Sequence, residues 1–116
     1  MNIYKTKTFN KWSEKERIKD KNLLDKAYKL SKGVYYAKYN DELFKLRKGK
    51  ERYLVCIKNT ERTIYLSGFL KGKQENISKE VERELKKLAS FLLNLPQETI
   101  ETLVNKGELI EIRKDS

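Results

Sequence analysis

The sequence contains no histidine among its 116 residues. Histidine is the usual acid and base near neutral pH and a common zinc ligand. Its absence excludes histidine-pair ribonuclease chemistry, Ser-His and Cys-His nucleophiles and histidine-based zinc sites. Any catalysis by this chain must therefore use Lys, Arg, Tyr, Asp or Glu side chains.

Cysteine and long apolar runs are also scarce. Cys56 is the single cysteine, which excludes a disulfide within the chain and suits a reducing compartment. No apolar run approaches the ~20 residues that a membrane-spanning helix needs, and no signal-peptide core follows Met1. These features predict a cytoplasmic protein without a membrane segment, and the length predicts a single domain over residues 1–116.

Positive charge is in excess, with 27 Lys and Arg against 17 Asp and Glu and a formal net charge of +10. Much of this excess lies in residues 43–73, where nine Lys and Arg stand against two Glu, a balance of +7. Such a surplus favours a polyanionic partner such as nucleic acid, although lysine-rich surfaces also occur on proteins without one. We therefore expect the functional surface on this stretch.

The same stretch contains three strand-like runs, LFKLRK, RYLVCIK and TIYLSGFLK, separated by the short polar breaks GKE and NTE. Apolar runs joined by two short turns predict three neighbouring antiparallel strands.

The flanking segments are predicted to be mostly helical. A short strand is expected at residues 2–6, and helices are expected from Thr8, from an N-cap at Asp20, from an N-cap at Ser78 and after Pro96. Gly33 and Gly107 are placed to end two of these helices in the left-handed conformation. The expected core-facing positions are Phe9 and Trp12; Leu23, Ala27 and Leu30; Val81, Leu85, Leu88, Leu92 and Leu95; and Ile100, Leu103 and Val104.

Residues 108–113, ELIEIR, are either a weak final strand or a tail that docks on a partner. The order β-αα-βββ-αα, with or without this last strand, predicts an α+β fold. We expect a small antiparallel sheet with helices packed on one face.

The alternation of the first central strand places Lys45 and Arg47 on the face opposite its apolar side chains. Arg52 begins the next strand beside them, and Lys71 follows the third strand. If helices cover the apolar face, these four cations converge on the open one. A merely solvated sheet face is the alternative, because Lys and Arg often blunt exposed strands. The clustering favours an anion site, since repulsion among four cations would otherwise be uncompensated.

Three tyrosines, Tyr35, Tyr36 and Tyr39, precede the central strands in the segment VYYAKYN. Their rings either stack on nucleic-acid bases or pack against the edge of the sheet, and the sequence leaves both interpretations open.

In the order and spacing of these segments the chain resembles the RelE/HigB toxins of bacterial type II toxin–antitoxin systems, in the RelE/ParE superfamily. The resemblance rests on NIYKTKTFNKW, FKLRK, the strand beginning at Arg52, SGFLKGKQENIS and GELIEI, and is nearest to a phage-type HigB-like branch. It covers nearly the whole chain. It implies a RelE-like fold and an mRNA interferase, an endoribonuclease that cuts mRNA in the ribosomal A site without a metal or other cofactor.

The family pattern falls on particular residues here. It implies catalytic roles for Lys45, Arg47, Arg52 and Lys71, with Lys73 as the alternative to the last. We add Lys48, Lys50, Lys73 and Tyr39 as candidate RNA-binding residues. Some members carry an arginine where this chain has Gly72 and a tyrosine where it has Ser78. These departures leave the contact to the leaving group unassigned.

The chemistry implied by the resemblance suits the residue inventory. When the 2′-OH of RNA attacks the adjacent phosphate, negative charge builds on the phosphorane and on the departing 5′ oxygen, and clustered Lys and Arg can stabilise it. Mutual repulsion lowers the pKa of a lysine, so one lysine can exchange protons near neutrality.

The expected partners are the ribosome, mRNA and a cognate antitoxin, a helix-turn-helix protein of the HigA type. Two alternatives remain open. One is a ParE-like toxin that inhibits a topoisomerase by binding the protein, and the other is a non-catalytic RNA-binding module.

Overall fold

The computed structural model describes residues 1–113, so residues 114–116 of the predicted domain lie outside the described part of the chain. Within that part the chain forms six strands and four helices. The strands are β1 (Asn2–Thr6), β2 (Ala37–Lys38), β3 (Leu43–Lys48), β4 (Glu51–Lys58), β5 (Arg62–Leu70) and β6 (Leu109–Ile112). The helices are α1 (Lys7–Lys15), α2 (Asp20–Ser31), α3 (Lys79–Leu93) and α4 (Gln97–Asn105).

All six strands belong to one open sheet in the order β2-β3-β4-β5-β1-β6. β3, β4 and β5 form the predicted antiparallel meander. β1 pairs parallel with β5, and β6 then pairs antiparallel with β1, so of the two alternatives for residues 108–113 the structure shows the final strand, over Leu109–Ile112. The prediction of an α+β fold built on an antiparallel sheet is confirmed, except that one of its strand pairs, β1 with β5, is parallel.

Helices cover both faces of this sheet, so the expectation that they pack on one face only is wrong. α1 and α2 pack on the face that carries Tyr53 and Val55, whereas α3 and α4 pack on the face that carries Leu54 and Cys56. The reason lies in the central strands, because β4 is apolar on both sides rather than alternating. A strand of this kind must be covered on both faces.

The predicted starts of α3 and α4 and the predicted ends of α2 and α4 are confirmed, whereas α1 begins at Lys7, one residue before the predicted Thr8. Ser78 caps α3, since its side chain accepts a hydrogen bond from the backbone nitrogen of Val81. Gly33 and Gly107 follow their helices with φ values of +86° and +79°, as expected of left-handed C′ residues. Asp20 is not the N-cap of α2. Lys19 takes that position, and Asp20 lies in the first turn, where its carboxylate binds Lys5 at 2.9 Å.

The expected apolar stripe of α3 is rotated in the structure. Leu85 and Leu92 are buried as predicted, together with Ala89 and Leu93, but Val81 and Leu88 are exposed. The buried residues share one face centred near Ala89, and Val81 and Leu88 lie at the margin of that face. The other predicted core positions are buried or partly buried.

Among the helices of residues 1–113, none combines the length and the apolar character that crossing a membrane would require.

Candidate active site

The predicted cationic residues meet at one end of the meander. Arg47 and Arg52 lie directly opposite each other across the β3–β4 ladder, and Lys45 lies two residues before Arg47 in β3. Lys71 follows β5, and its backbone nitrogen donates a hydrogen bond to the carbonyl of Lys50 at 2.8 Å. The antiparallel pairing thus brings together residues from the beginning of β4 and the ends of β3 and β5. We call Lys45, Arg47, Arg52 and Lys71 the cationic cluster.

The cluster is not the open, solvated face that alternation predicts. Lys45 and Arg52 retain only 7% and 6% of their accessible surface, whereas Arg47 and Lys71 are exposed. The two buried residues lie on the face covered by α3 and α4, where the chain that precedes α3 reaches over β3. Burial of two cations is costly unless their hydrogen-bonding groups are satisfied, and both find partners.

Arg52 is held by the β3–β4 turn. Its Nη1 donates to the carbonyl oxygens of Gly49 at 2.7 Å and Glu51 at 3.1 Å. Two bonds from one end of a planar guanidinium fix its plane, and the remaining nitrogens are then held in a defined direction. Such a group can bind a phosphate without first losing conformational freedom.

The ring of Tyr36 lies beneath three members of the cluster. Its centroid is 4.4 Å from Cζ of Arg47, 5.4 Å from Cζ of Arg52 and 5.5 Å from Nζ of Lys45. The negative face of an aromatic ring attracts cations at these distances, so Tyr36 offsets part of their mutual repulsion. The sequence predicts Tyr36 to stack or pack but does not assign it to the site. The aromatic run before the meander is the signal that points to it.

Asn76 is a second site residue that the sequence alone does not identify. Its Oδ1 accepts hydrogen bonds from Nζ of Lys45 at 3.1 Å, from the hydroxyl of Tyr39 at 3.2 Å and from the backbone nitrogen of Ile77 at 2.8 Å. This one oxygen therefore fixes the lysine amine and the predicted RNA-binding tyrosine together. Asn76 lies 31 residues after Lys45, and the polar run before α3 is the only feature of the sequence that points to it.

The surroundings of Lys45 lower the pKa of its amine. Burial lowers the pKa of Lys45, and the positive charges of Arg52 and Lys71 lower it further, while Tyr36 opposes the change. Burial raises the pKa of Tyr39, and the carboxylate of Glu82 adds to that rise. A lysine with a lowered pKa exchanges a proton more readily near neutrality than an ordinary surface lysine does. Tyr39 in contrast keeps its proton and remains a hydrogen-bond donor to Asn76.

The remaining predicted RNA-binding lysines lie around the cluster rather than within it. Lys48 ends β3, Lys50 lies in the β3–β4 turn and Lys73 lies in the turn after β5, with all three side chains exposed. They can add long-range attraction for a polyanion without contacting the cluster.

The two departures from the family pattern have structural reasons. Gly72 has a φ of +104°, a conformation that a side chain at this position would strain. Ser78 uses its hydroxyl to cap α3. Neither residue contributes to the cluster.

Two other cations of the basic stretch serve the fold instead. Nη1 of Arg62 donates to the carbonyls of Leu92 at 2.9 Å and Leu95 at 2.7 Å, and Lys58 binds Asn94. Positive charge near the C-terminus of α3 stabilises the helix through its dipole. The net charge of the stretch therefore overstates the charge available for a ligand.

A family model described as the RelE toxin of the RelE/RelB toxin–antitoxin system matches residues 1–112 of this chain. The match includes all the strands and helices described above, together with the cationic cluster, Tyr36 and Asn76. A comparison with curated proteins finds no significant match.

Proposed function

The chain belongs to the RelE toxin family, and from that premise we propose that it is a ribosome-dependent endonuclease that cuts mRNA. As a member of that family it is the toxin of a toxin–antitoxin pair, with an antitoxin as its partner. Toxins of the family are generally endoribonucleases. The proposal concerns the reaction, its residues and its substrate.

The observation that carries the proposal is the buried lysine beside a fixed arginine. Lys45 and Arg52 are both less than a tenth exposed, share the ring of Tyr36 and lie at the edge of an exposed cationic surface. Hydrogen bonds satisfy part of each cation, but no carboxylate neutralises either charge within the described residues, and a phosphate that gains negative charge during a reaction would do so.

In the proposed reaction Lys45 is the general base. The 2′-OH of the ribose gives its proton to the neutral amine of Lys45, and its oxygen forms a bond to the neighbouring phosphorus. The lowered pKa of Lys45 makes the neutral amine available at lower pH than for a free lysine. Asn76 holds this amine in position through its Oδ1.

Arg52 and Arg47 stabilise the phosphorane, whose oxygens carry the developing charge. The bond from phosphorus to the 5′ oxygen then breaks, and the leaving oxygen takes a proton from the ammonium group of Lys71. The products are a 2′,3′-cyclic phosphate and a new 5′-OH end. Each proton and each electron pair is thereby accounted for by the substrate and the cluster.

The ribosome has a specific part in this proposal. With no histidine in the chain, the acid and base are lysines, which are less well matched to neutral pH. Fixing the 2′-OH, phosphorus and leaving oxygen in line can supply several kcal/mol, on the order of 7–11 at best, and a folded A site can do so for mRNA. We propose in addition that the protein acts in the cytoplasm and that its antitoxin is a helix-turn-helix protein of the HigA type.

The test compares programmed ribosomes with the bare transcript. Purified protein is added to ribosomes paused on a defined mRNA, and cleavage is mapped by primer extension. We expect cuts within the A-site codon and little cleavage of the same transcript alone. Rapid cleavage of bare RNA would contradict the ribosome requirement. Intact mRNA combined with inhibition of a purified topoisomerase would replace the proposal with a ParE-type function, and binding without any cleavage would replace it with a non-catalytic one.

A further inference from the structure

A pocket adjoins the cationic cluster, between α2 and the edge of the sheet. It has a volume of ≈ 220 Å³. Its lining is formed by cationic, aromatic and aliphatic side chains, namely Lys26, Lys29, Val34, Tyr35, Tyr36, Leu46 and Arg47. Only Tyr36 and Arg47 are shared with the surroundings of the cluster. We call this the α2 pocket.

The α2 pocket concentrates positive charge. Burial lowers the pKa of Lys26, and the nearby charges of Lys29, Lys48 and Arg47 lower it further, against a smaller opposing effect of Asp25. The carboxylate of Asp25 binds Lys29 at 3.1 Å instead. Within residues 1–113 Lys26 has no carboxylate within ion-pair distance. The positive charge of Lys26 is therefore left for an anion from outside the chain, because the carboxylate of Asp25 is bound to Lys29.

The aromatic rings of the pocket are more exposed than a packing role requires. Tyr35 and Tyr36 retain 44% and 45% of their accessible surface. The ring of Tyr35 lies 5.1 Å from that of Phe44, so one side packs on the sheet and the other faces outward. A ring held in this way offers a flat surface to a nucleic-acid base.

We propose that the α2 pocket binds one nucleotide of an RNA strand, with its phosphate against Lys26 and Arg47 and its base stacked on Tyr35. The inference rests on the proposed function, because it extends the RNA-binding surface of that same site. Arg47 and Tyr36 line both places, so a strand that leaves the cluster can enter the pocket without a break. The chemistry required of the occupant is a phosphate joined to a flat ring.

An acidic peptide would use only half of these features. Carboxylates could bind Lys26 and Lys29, but they would leave the rings of Tyr35 and Tyr36 without a partner. The combination of cations and exposed rings is the one that single-stranded nucleic acid requires. The peptide is therefore treated as an outcome of the test rather than as the proposal.

The first experiment measures binding of a fluorescein-labelled 2′-O-methyl RNA hexanucleotide, which lacks the attacking hydroxyl and cannot be cut. Lys26→Ala and Tyr35→Ala are compared with the matched variants Lys21→Ala and Tyr28→Ala. The side chains of Lys21 and Tyr28 are exposed on α2 and do not line the pocket. Loss of one stacked base costs about 1–3 kcal/mol, so Tyr35→Ala should weaken binding by about 5- to 150-fold. Tyr35→Phe should restore it. Lys26→Ala should also reduce the slope of log affinity against log salt by about 0.7.

Equal affinities for wild type, Lys26→Ala and Tyr35→Ala would overturn the proposal, as would an equal loss in Lys21→Ala. Loss of antitoxin affinity with unchanged RNA affinity would show a protein contact and would overturn it too. Folding is checked by circular dichroism. If an alanine variant does not fold, Lys26→Gln and Tyr35→Leu replace it, because both keep most of the side-chain volume.

The second experiment uses programmed ribosomes and separates the source of the nucleotide. Lys26→Ala should raise the toxin concentration that gives half-maximal cleavage by about tenfold. If shortening the mRNA on one side of the cut removes the difference between wild type and Lys26→Ala, the nucleotide belongs to mRNA. If the difference persists with both shortened messages, it belongs to ribosomal RNA. Should wild type cut nothing, the proposed function fails, while the hexanucleotide measurement still decides the α2 pocket.

Discussion

Replacing Arg52 tests the cationic cluster most directly, and it requires separating activity from stability. The sequence alone predicts that Arg52→Ala leaves the fold intact, because it places this residue on an open face. The structure changes that expectation, since Arg52 is 6% exposed and donates two hydrogen bonds to the turn carbonyls of Gly49 and Glu51. Each hydrogen bond from a charged group contributes about 1.5–3 kcal/mol when its partner is buried. Gly49 is exposed and can bind water instead.

The loss of the bond to Glu51 then remains, so we expect Arg52→Ala to lower the free energy of unfolding by about 1.5–3 kcal/mol, which corresponds to a fall in Tm of about 5–15 °C. Arg52→Lys keeps the charge and part of the turn contact, so its loss should stay below about 1 kcal/mol. The two variants should nevertheless lose activity to similar degrees. Removing a donor aimed at developing charge costs about 10²- to 10³-fold in rate, and lysine cannot reproduce the planar pair of donors.

The assay is single-turnover cleavage on programmed ribosomes, well below the Tm of every variant, together with thermal unfolding. Arg83→Ala is the matched control, because Arg83 is exposed on α3, outside the cluster. A full rate for Arg52→Lys would refute the argument that a planar guanidinium is needed. A full rate for both variants, with expression confirmed, would remove Arg52 from the active site altogether.

Two further predictions concern charge. Lys71→Ala removes the proposed acid and should slow cleavage at every pH. Because Lys71 also lowers the pKa of Lys45, the rising limb of the residual rate should move to higher pH, and an unmoved or downward-shifted limb in a pH-rate profile would contradict the role of Lys45 as base. Antitoxin binding should weaken as the salt concentration rises, because we expect acidic antitoxin residues to neutralise the cluster and the lysines around it. Calorimetric titration at low and high salt measures this, and an affinity that does not change with salt would contradict an electrostatic interface.

Local pattern was sufficient to predict most elements of this fold. Alternating and apolar runs separated by short polar breaks require neighbouring antiparallel strands, and β3, β4 and β5 obey that rule. Ser78 and Gly33 mark helix ends because capping depends on a few adjacent backbone groups. The pairing of Arg47 with Arg52 follows in the same way, since a short turn fixes the register.

Lys45, Arg47, Arg52 and Lys71 could therefore be proposed from sequence as one group. Their neighbours could not. Tyr36 and Asn76 are far from Arg52 along the chain, and nothing local specifies that a ring will lie under the guanidinium or that an amide oxygen will bind Lys45. Contacts of this kind depend on how separate elements dock.

The sequence by itself determined the order of the elements, the turns of the meander and the identity of the cations at its end, because each depends on residues close along the chain. Only the tertiary structure decided that β1 lies between β5 and β6, that helices cover both sheet faces and that Lys45 and Arg52 are buried. An amphipathic helix has a face to bury, but its pattern does not say which side of a sheet will receive it. That choice removed the open face that alternation predicted, and it placed Lys45 in surroundings that lower its pKa.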